Sequence, residues 1–399
     1  MSILRSMGNS RSQLALVTPQ MLIWGRVTAQ MSVEAVARKL SVKKEKVEAW
    51  ESGDALPTVK QLRKLAKAYN QTFAAFYLPS PPKSTIQLPN DYRRHAGTTL
   101  IGLSPELALD IRTAWERRQI VLDLYEEQGE VPVEFDASTE LTSDPEKTAI
   151  EIRNLLGIKY EKQREWLDSR IGFNFIRESI EAVGVLVFQT TSVPVREVRG
   201  YSISESVLPV VVVNRKDSYA ARSFTLIHEL THIMLKSGGL CDLTANGETP
   251  PEDLKFEVFC NHVAGATLIP EEILLREPVV LNHSGSSEWI EEDIETLSKV
   301  FCASRETVVR RLLMLGLTTS QFYEAKRQKY QEEIKSLPKK KGFVTPPINV
   351  VSASGKPYVR AVLDAFNSER ITSTDVADYL GIRLKHLDQV VQIVGGVPL

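Results

Sequence analysis

The run His228-Glu229-Leu230-Thr231-His232 constrains this chain more tightly than any other part of it. On a helix, residues four apart lie on one face, one turn apart, so both imidazoles can reach a single Zn²⁺. The glutamate beside the first histidine is placed to touch a metal-bound water rather than the metal. Water attacking a carbonyl needs such a carboxylate to take its proton. A chance match is the plain alternative, but the chain has six histidines and two of them fall here. The flanking SFTLIHELTHIMLK is apolar on nearly every side, which predicts a buried helix. Two buried histidines without partners would carry a desolvation cost. A metal between them removes that objection.

A catalytic zinc needs a third protein ligand and an open position for water. The segment Glu257-Val258-Phe259-Cys260-Asn261-His262-Val263-Ala264 lies far enough after His232 for a loop and a returning helix. At roughly 100° per residue, Glu257, Cys260, Asn261 and Ala264 share one helical face, and His262 points about 140° away from Glu257. Glu257 and His262 therefore cannot easily both be ligands. Glu257 is favoured, giving a His₂Glu site with one Zn²⁺ per chain. Cys260 is a softer alternative, and its plainer role is a small buried residue between helices. Thr231 reads as packing.

The rest of the chain reads as mainly α with a small β-sheet. VGVLVF at 183–188 and LPVVVVN at 208–214 are β-branched and apolar, hence expected strands. Ser104-Pro105-Glu106 and Asp144-Pro145-Glu146 each start a helix with proline in the first turn. The expected parts are an all-α module at 18–78, a helical connector at 84–170, an α+β core at 171–288, a helix–turn–helix-like extension at 289–335 and a small helical tail at 348–399. PSPPK at 79–83 and SLPKKKGFVTPP at 336–347 read as boundaries. The tail is expected to hold two helices and no chemistry.

Net charge is −1, but it is unevenly spread. Residues 18–78 hold ten Lys and Arg against five Asp and Glu, while 79–399 carry −8. A basic module joined to an acidic remainder suggests one nucleic-acid-facing part. Its expected helices are 19–29, 33–40, 43–51, 58–69 and 72–77. Ser32 and Ser41 are expected N-caps, Thr58 and Gln61 a capping box, and Gly53 a stop. Lys43, Lys44 and Lys46 would face DNA, unless they are an ordinary solvated face. Glu51 and Asp54 work mildly against close approach of phosphate. Three cysteines, Cys241, Cys260 and Cys302, argue for a reducing compartment. There is no signal-peptide core and no apolar stretch of about 18 residues, so a cytoplasmic protein is expected.

FTLIHELTHIML followed by EVFCNHVAGATLIP resembles the ImmA/IrrE family of metallopeptidases, over roughly 170–316. The chain departs from that pattern at Val263, where Phe is usual, and at Ile269, where Met is common. The resemblance implies a zincin-like domain with Glu257 as third ligand, Glu229 as general base, and limited proteolysis of a partner such as a repressor. His262 or Tyr201 is then a candidate oxyanion stabiliser. Residues 18–78 resemble the Xre, or lambda-repressor-like, helix–turn–helix domain. The match runs through Leu22, Trp24, Ala37, Leu40, the run Ala49-Trp50-Glu51-Ser52-Gly53, Pro57-Thr58, Leu62, Leu65-Ala66 and Phe76. It implies that 43–51 is the recognition helix. The 295–317 stretch also scans as helix–turn–helix, with Arg305, Arg310 and Arg311. By resemblance it packs on the peptidase rather than on DNA. Arg93 and Arg94 fit a bridge between domains. Expected partners are DNA and a protein substrate, with a second copy of the chain a further candidate. The rival reading is a DNA-binding antitoxin that neutralises a cognate toxin without cutting it.

Overall fold

The computed structural model describes residues 13–82, 104–166, 168–236, 240–241, 251–283, 285–336 and 344–395. The chain divides into two compact units. Arg93 and Arg94 lie outside the described residues.

The first unit contains α1 Pro19–Thr28, α2 Val33–Leu40, α3 Lys44–Ser52, α4 Val59–Tyr69 and a 3₁₀ turn at Phe73–Tyr77. Trp50, Tyr69, Phe76, Met21, Leu22 and Leu62 fill its core. Ser32 caps α2 through a bond from Ala35 N–H. Thr58 and Gln61 form the expected reciprocal box at α4, and Gly53 ends α3 at φ 89°. Ser41 is not an N-cap. It closes α2 in the left-handed region at φ 56°, and Lys43 occupies the N-cap of α3 without a side-chain bond. The turn needs one residue at positive φ, and Ser41 supplies it.

The second unit carries the sheet. Its strands are β1 Leu186–Thr190, β2 Gly200–Ile203, β3 Val210–Asn214 and β4 Leu240–Cys241, in the order β1-β3-β2-β4. β1 and β3 run parallel, and β2 is antiparallel to both β3 and β4. Every residue of β1, β2 and β3 is buried, so both faces are covered. On the site side lie α8 Ser169–Ala182 and α9 Tyr219–Met234, with α9 packed on β2 and β3. α10 Pro251–Leu268 crosses α9 and also meets α6 Pro145–Leu155. The short α7 Tyr160–Arg164 stands before α8, and α11 Glu271–Leu274, α12 Pro278–Leu281, α13 Glu291–Phe301, α14 Arg305–Met314 and α15 Ser320–Ser336 follow α10. Arg118, on α5 Pro105–Gln128, donates to the carbonyls of Val207 and Leu208 and braces the turn into β3.

Residues 354–399, where two helices were expected, hold three α-helices among the described residues, α17 Lys356–Asn367, α18 Ser373–Leu380 and α19 Leu387–Val394, and α16 Pro346–Ser354 precedes them. α16 lies against β1. Arg177 bonds both the Ser352 and the Val187 carbonyls, at 2.9 and 3.0 Å, and Gln189 reaches Ser352 at 2.7 Å. Phe188 of β1 meets Tyr358 edge to face at 5.9 Å. Gly355 joins α16 to α17 at φ 81°, where a Cβ would lie 2.9 Å from the Val187 carbonyl. No helix among the described residues is long and apolar enough to cross a membrane.

Candidate metal centre

The expected helix at the histidine motif is α9. Ser218 caps it by accepting from Ala221 N–H, and every residue from Arg222 to Met234 is buried. That all-round apolar character fixes the register against β2, β3 and α10. His228 and His232 thereby meet on one face, with Nε2 atoms 3.2 Å apart. α10 brings Glu257 against them, its carboxylate 3.5 Å from His228 Nε2 and 3.3 Å from His232 Nε2. The three donors lie within 4.8 Å of one another. Donors at about 2.0–2.2 Å from a tetrahedral divalent ion sit roughly 3.3 Å from each other. The observed spacings match that edge, and two imidazoles with one carboxylate are the donor set of a catalytic metal with an open position. Among the described residues, these three can hold a metal ion.

The electrostatics of the three donors follow from the same convergence. Burial pushes the His228 imidazole down, toward the neutral form a metal ligand needs. At His232 burial acts in that sense too, but the neighbouring Cys260, Glu257 and Glu229 hold its proton well above the usual histidine range. Burial pushes the Glu257 carboxyl up, yet its bonds to His228 and His232 outweigh that and keep it well below the usual carboxylate range. Burial raises the Cys260 thiol. Cys260 is fully buried against His232 and is not one of the three convergent donors.

Glu229 is fully buried beside the donors and is not one of them. Where α9 packs on the sheet, Glu229 faces Gly200, the first residue of β2. A Cβ there would lie 2.4 Å from Thr225 Cγ2, 2.8 Å from the Val212 carbonyl and 3.4 Å from Glu229 Oε1. Only glycine leaves this space open. Thr231 bonds the Ile227 carbonyl at 2.8 Å, an intrahelical contact. Phe224 stacks on His228, centroids 6.2 Å apart.

Of the two candidate oxyanion residues, His262 turns away from this group. His262 Nε2 is 2.7 Å from Glu146 on α6. Arg311, fully buried on α14, grips the same carboxylate at 2.6 and 2.7 Å and donates to the Ile269 carbonyl. The rotation of α10 that aims Glu257 at the histidines sends His262 to this lock instead. Tyr201 is fully buried in β2, opposite Val212 and Leu240. Sequence reasoning does not reach Gly200 or Phe224 as neighbours of the three donors, nor Glu146 and Arg311 as the partners of His262. The glycine ahead of YSI is the one local signal, since a glycine within a strand marks close approach.

In the first unit, Lys43, Lys44 and Lys46 are exposed at the start of α3. Lys44 pairs with Glu34 at 2.8 Å and Glu48 at 3.4 Å, and Lys46 lies 5.9 Å over the Trp50 ring. Its hydrogen bond to Lys44 lowers Glu34 to about 2. Glu51 is held by Arg26 at 2.7 and 2.8 Å, so this carboxylate is already countered.

Comparison with known families agrees with both halves. The family model described as IrrE N-terminal-like domain, a peptidase family, matches residues 180–313. The model described as Helix-turn-helix matches residues 24–76. Residues 24–76 thus form a helix–turn–helix domain, and residues 180–313 resemble the IrrE-like peptidase family. No curated protein matches the chain.

Proposed function

We propose that this chain is a transcriptional regulator whose IrrE-like domain is a zinc-dependent endopeptidase acting on a partner protein such as a repressor, in the cytoplasm. The observation that supports this best is the convergence of His228, His232 and Glu257 with a buried Glu229 beside them. Bound there, Zn²⁺ would polarise the scissile carbonyl and acidify a water. His228, His232 and Glu257 would hold the ion. Glu229 is left uncommitted to the ion, and it would take the proton of the attacking water and pass it to the leaving amine. Gly200 keeps the room in which that carboxylate works. The helix–turn–helix domain would bring the peptidase to DNA, with Lys43 and Lys46 meeting phosphates and Lys44 doing so once it leaves Glu34.

Glu229→Gln tests the reading. The amide keeps the shape and the metal, but cannot accept the proton. Zinc content should stay near one per chain, while new protein termini seen in cells with the wild-type chain should disappear. His228→Ala should lose the zinc. Unchanged termini with zinc retained would reject catalysis and promote the antitoxin reading, in which Glu229→Gln neutralises its partner as well as wild type does.

A further inference from the structure

We infer that the cleft formed by the first turns of α9 with α14 and α15 seats an acidic side chain of the peptide substrate. The inference rests on the endopeptidase reading of the neighbouring centre. The cleft encloses about 420 Å³, and Arg199, Phe224, Glu306, Arg310, Glu324 and Arg327 line it. That volume accommodates a side chain with the adjoining peptide. Phe224 forms part of the wall and stacks on His228, so a group in the cleft lies one aromatic ring from a metal ligand.

Three guanidiniums meet here, and their ion pairs are long. Arg310 stands 3.4 Å from Glu306, Arg327 3.9 Å from Glu306 and 3.6 Å from Glu324, and Arg199 3.7 Å from Asp217. Charge-assisted N–H···O bonds close to about 2.7–2.9 Å. The Nε–H groups of Arg199 and Arg327 are buried without a hydrogen-bond partner among the described residues. An open buried donor is costly, and a planar carboxylate can take two parallel N–H bonds from one guanidinium. The charge count selects the ligand. Glu306 and Glu324 face the three arginines across the cleft, so its lining keeps one net positive charge, which one carboxylate neutralises and a phosphate dianion overshoots. Glu306, shared at long range by two arginines, is the group that an incoming carboxylate displaces.

Opposite effects of two substitutions test this. Zinc-loaded Glu229→Gln protein is titrated calorimetrically with the singly charged glutarate monoamide and with the neutral diamide. The monoamide should bind in preference to the diamide. Adding Arg327→Gln should weaken it about three- to tenfold, and adding Glu306→Gln should tighten it by a similar factor. In the active chain, cut sites in a denatured proteome digest should be enriched in Asp or Glu within three residues of the cut, and Arg327→Gln should flatten that enrichment. Monoamide binding indifferent to both substitutions, as for a carboxylate on the metal, overturns the inference, as does equal weakening by both. Cleavage without acidic preference overturns it while leaving the peptidase reading intact. No cleavage at all, with the monoamide pattern present, rejects the peptidase and with it the assignment to a substrate side chain.

Discussion

Residues 33–52 and 291–314 make the same turn in two different settings. In the first unit α2 ends at Ser41, φ 56°, and Val42 N–H returns to the Ala37 carbonyl at 2.9 Å. In the second, α13 ends at Cys302, φ 50°, and Ala303 N–H returns to the Ser298 carbonyl at 3.1 Å. In each, the next helix is capped two residues later, by Lys43 and by Ser304. What differs is where the cations of the second helix go. Lys43, Lys44 and Lys46 stand in solvent. Arg311 is buried on Glu146, Arg310 bonds Tyr323, and Arg305 is shared among Glu291, Glu333 and the Tyr330 ring. The turn therefore fixes a shape and not a ligand. Arg305 and Arg311 are held by internal carboxylates, which fits the expectation that 295–317 packs on its own domain rather than on DNA.

The largest test of that contrast is Arg311→Met. It strands Glu146 without its bidentate partner and should cost the second unit about 3–5 kcal/mol in denaturant unfolding. Lys44→Ala should leave the stability of the first unit unchanged within error, because exposed ion pairs contribute little. Equal losses would erase the distinction between the two settings.

Acid sharpens it next. Burial works against the charge on Glu146, but bonds from His262 and Arg311 outweigh burial and hold the carboxyl at about 2. A folded-state value below the unfolded one, near 4.5, means the stabilisation is present above about pH 4.5 and lost as pH falls from there toward 2. Allowing for partial exposure, about 2 kcal/mol should disappear over that window, and Glu146→Gln should remove the dependence. Salt of 1 M should leave this lock largely intact while screening Lys44 from Glu34.

The smallest effect concerns DNA. Alanine at Lys43, Lys44 and Lys46 should lower the salt slope of binding by about 2–3, near 0.9 for each phosphate no longer neutralised. Alanine at Arg305 and Arg310 should leave the slope where it was. A shift in the slope on changing Arg310 would put the second turn on DNA after all.

The metal site is legible in the sequence because its demands are local and periodic. The spacing of His228 and His232 and the shared face of Glu257 and Cys260 follow from helix geometry alone. Capping at Ser32 and Thr58 is equally local. β2 and β4 carry weaker signals. Gly200–Ile203 opens on glycine, and Leu240–Cys241 is two residues long, so neither has the β-branched run that marks β1 and β3. Their place depends on partners far away in sequence. The start of α16 merges with the expected linker because Pro346-Pro347 signals a boundary and a helix start equally well. The destination of His262 is hidden for another reason, since it depends on where α6 and α14 place Glu146 and Arg311.

The docking of α16 on β1 has a consequence for how the chain is made. β1 leaves the ribosome more than 150 residues ahead of the helix that covers it. At about 5–20 residues per second, that outer face waits roughly ten seconds or longer for Ser352 and Tyr358. During that interval Phe188 lacks Tyr358 and Gln189 lacks Ser352, while His228, His232 and Glu257 are all synthesised before it ends. A message broken after the codons for α15 would yield a chain with all its metal ligands and an open flank, a natural substrate for quality control.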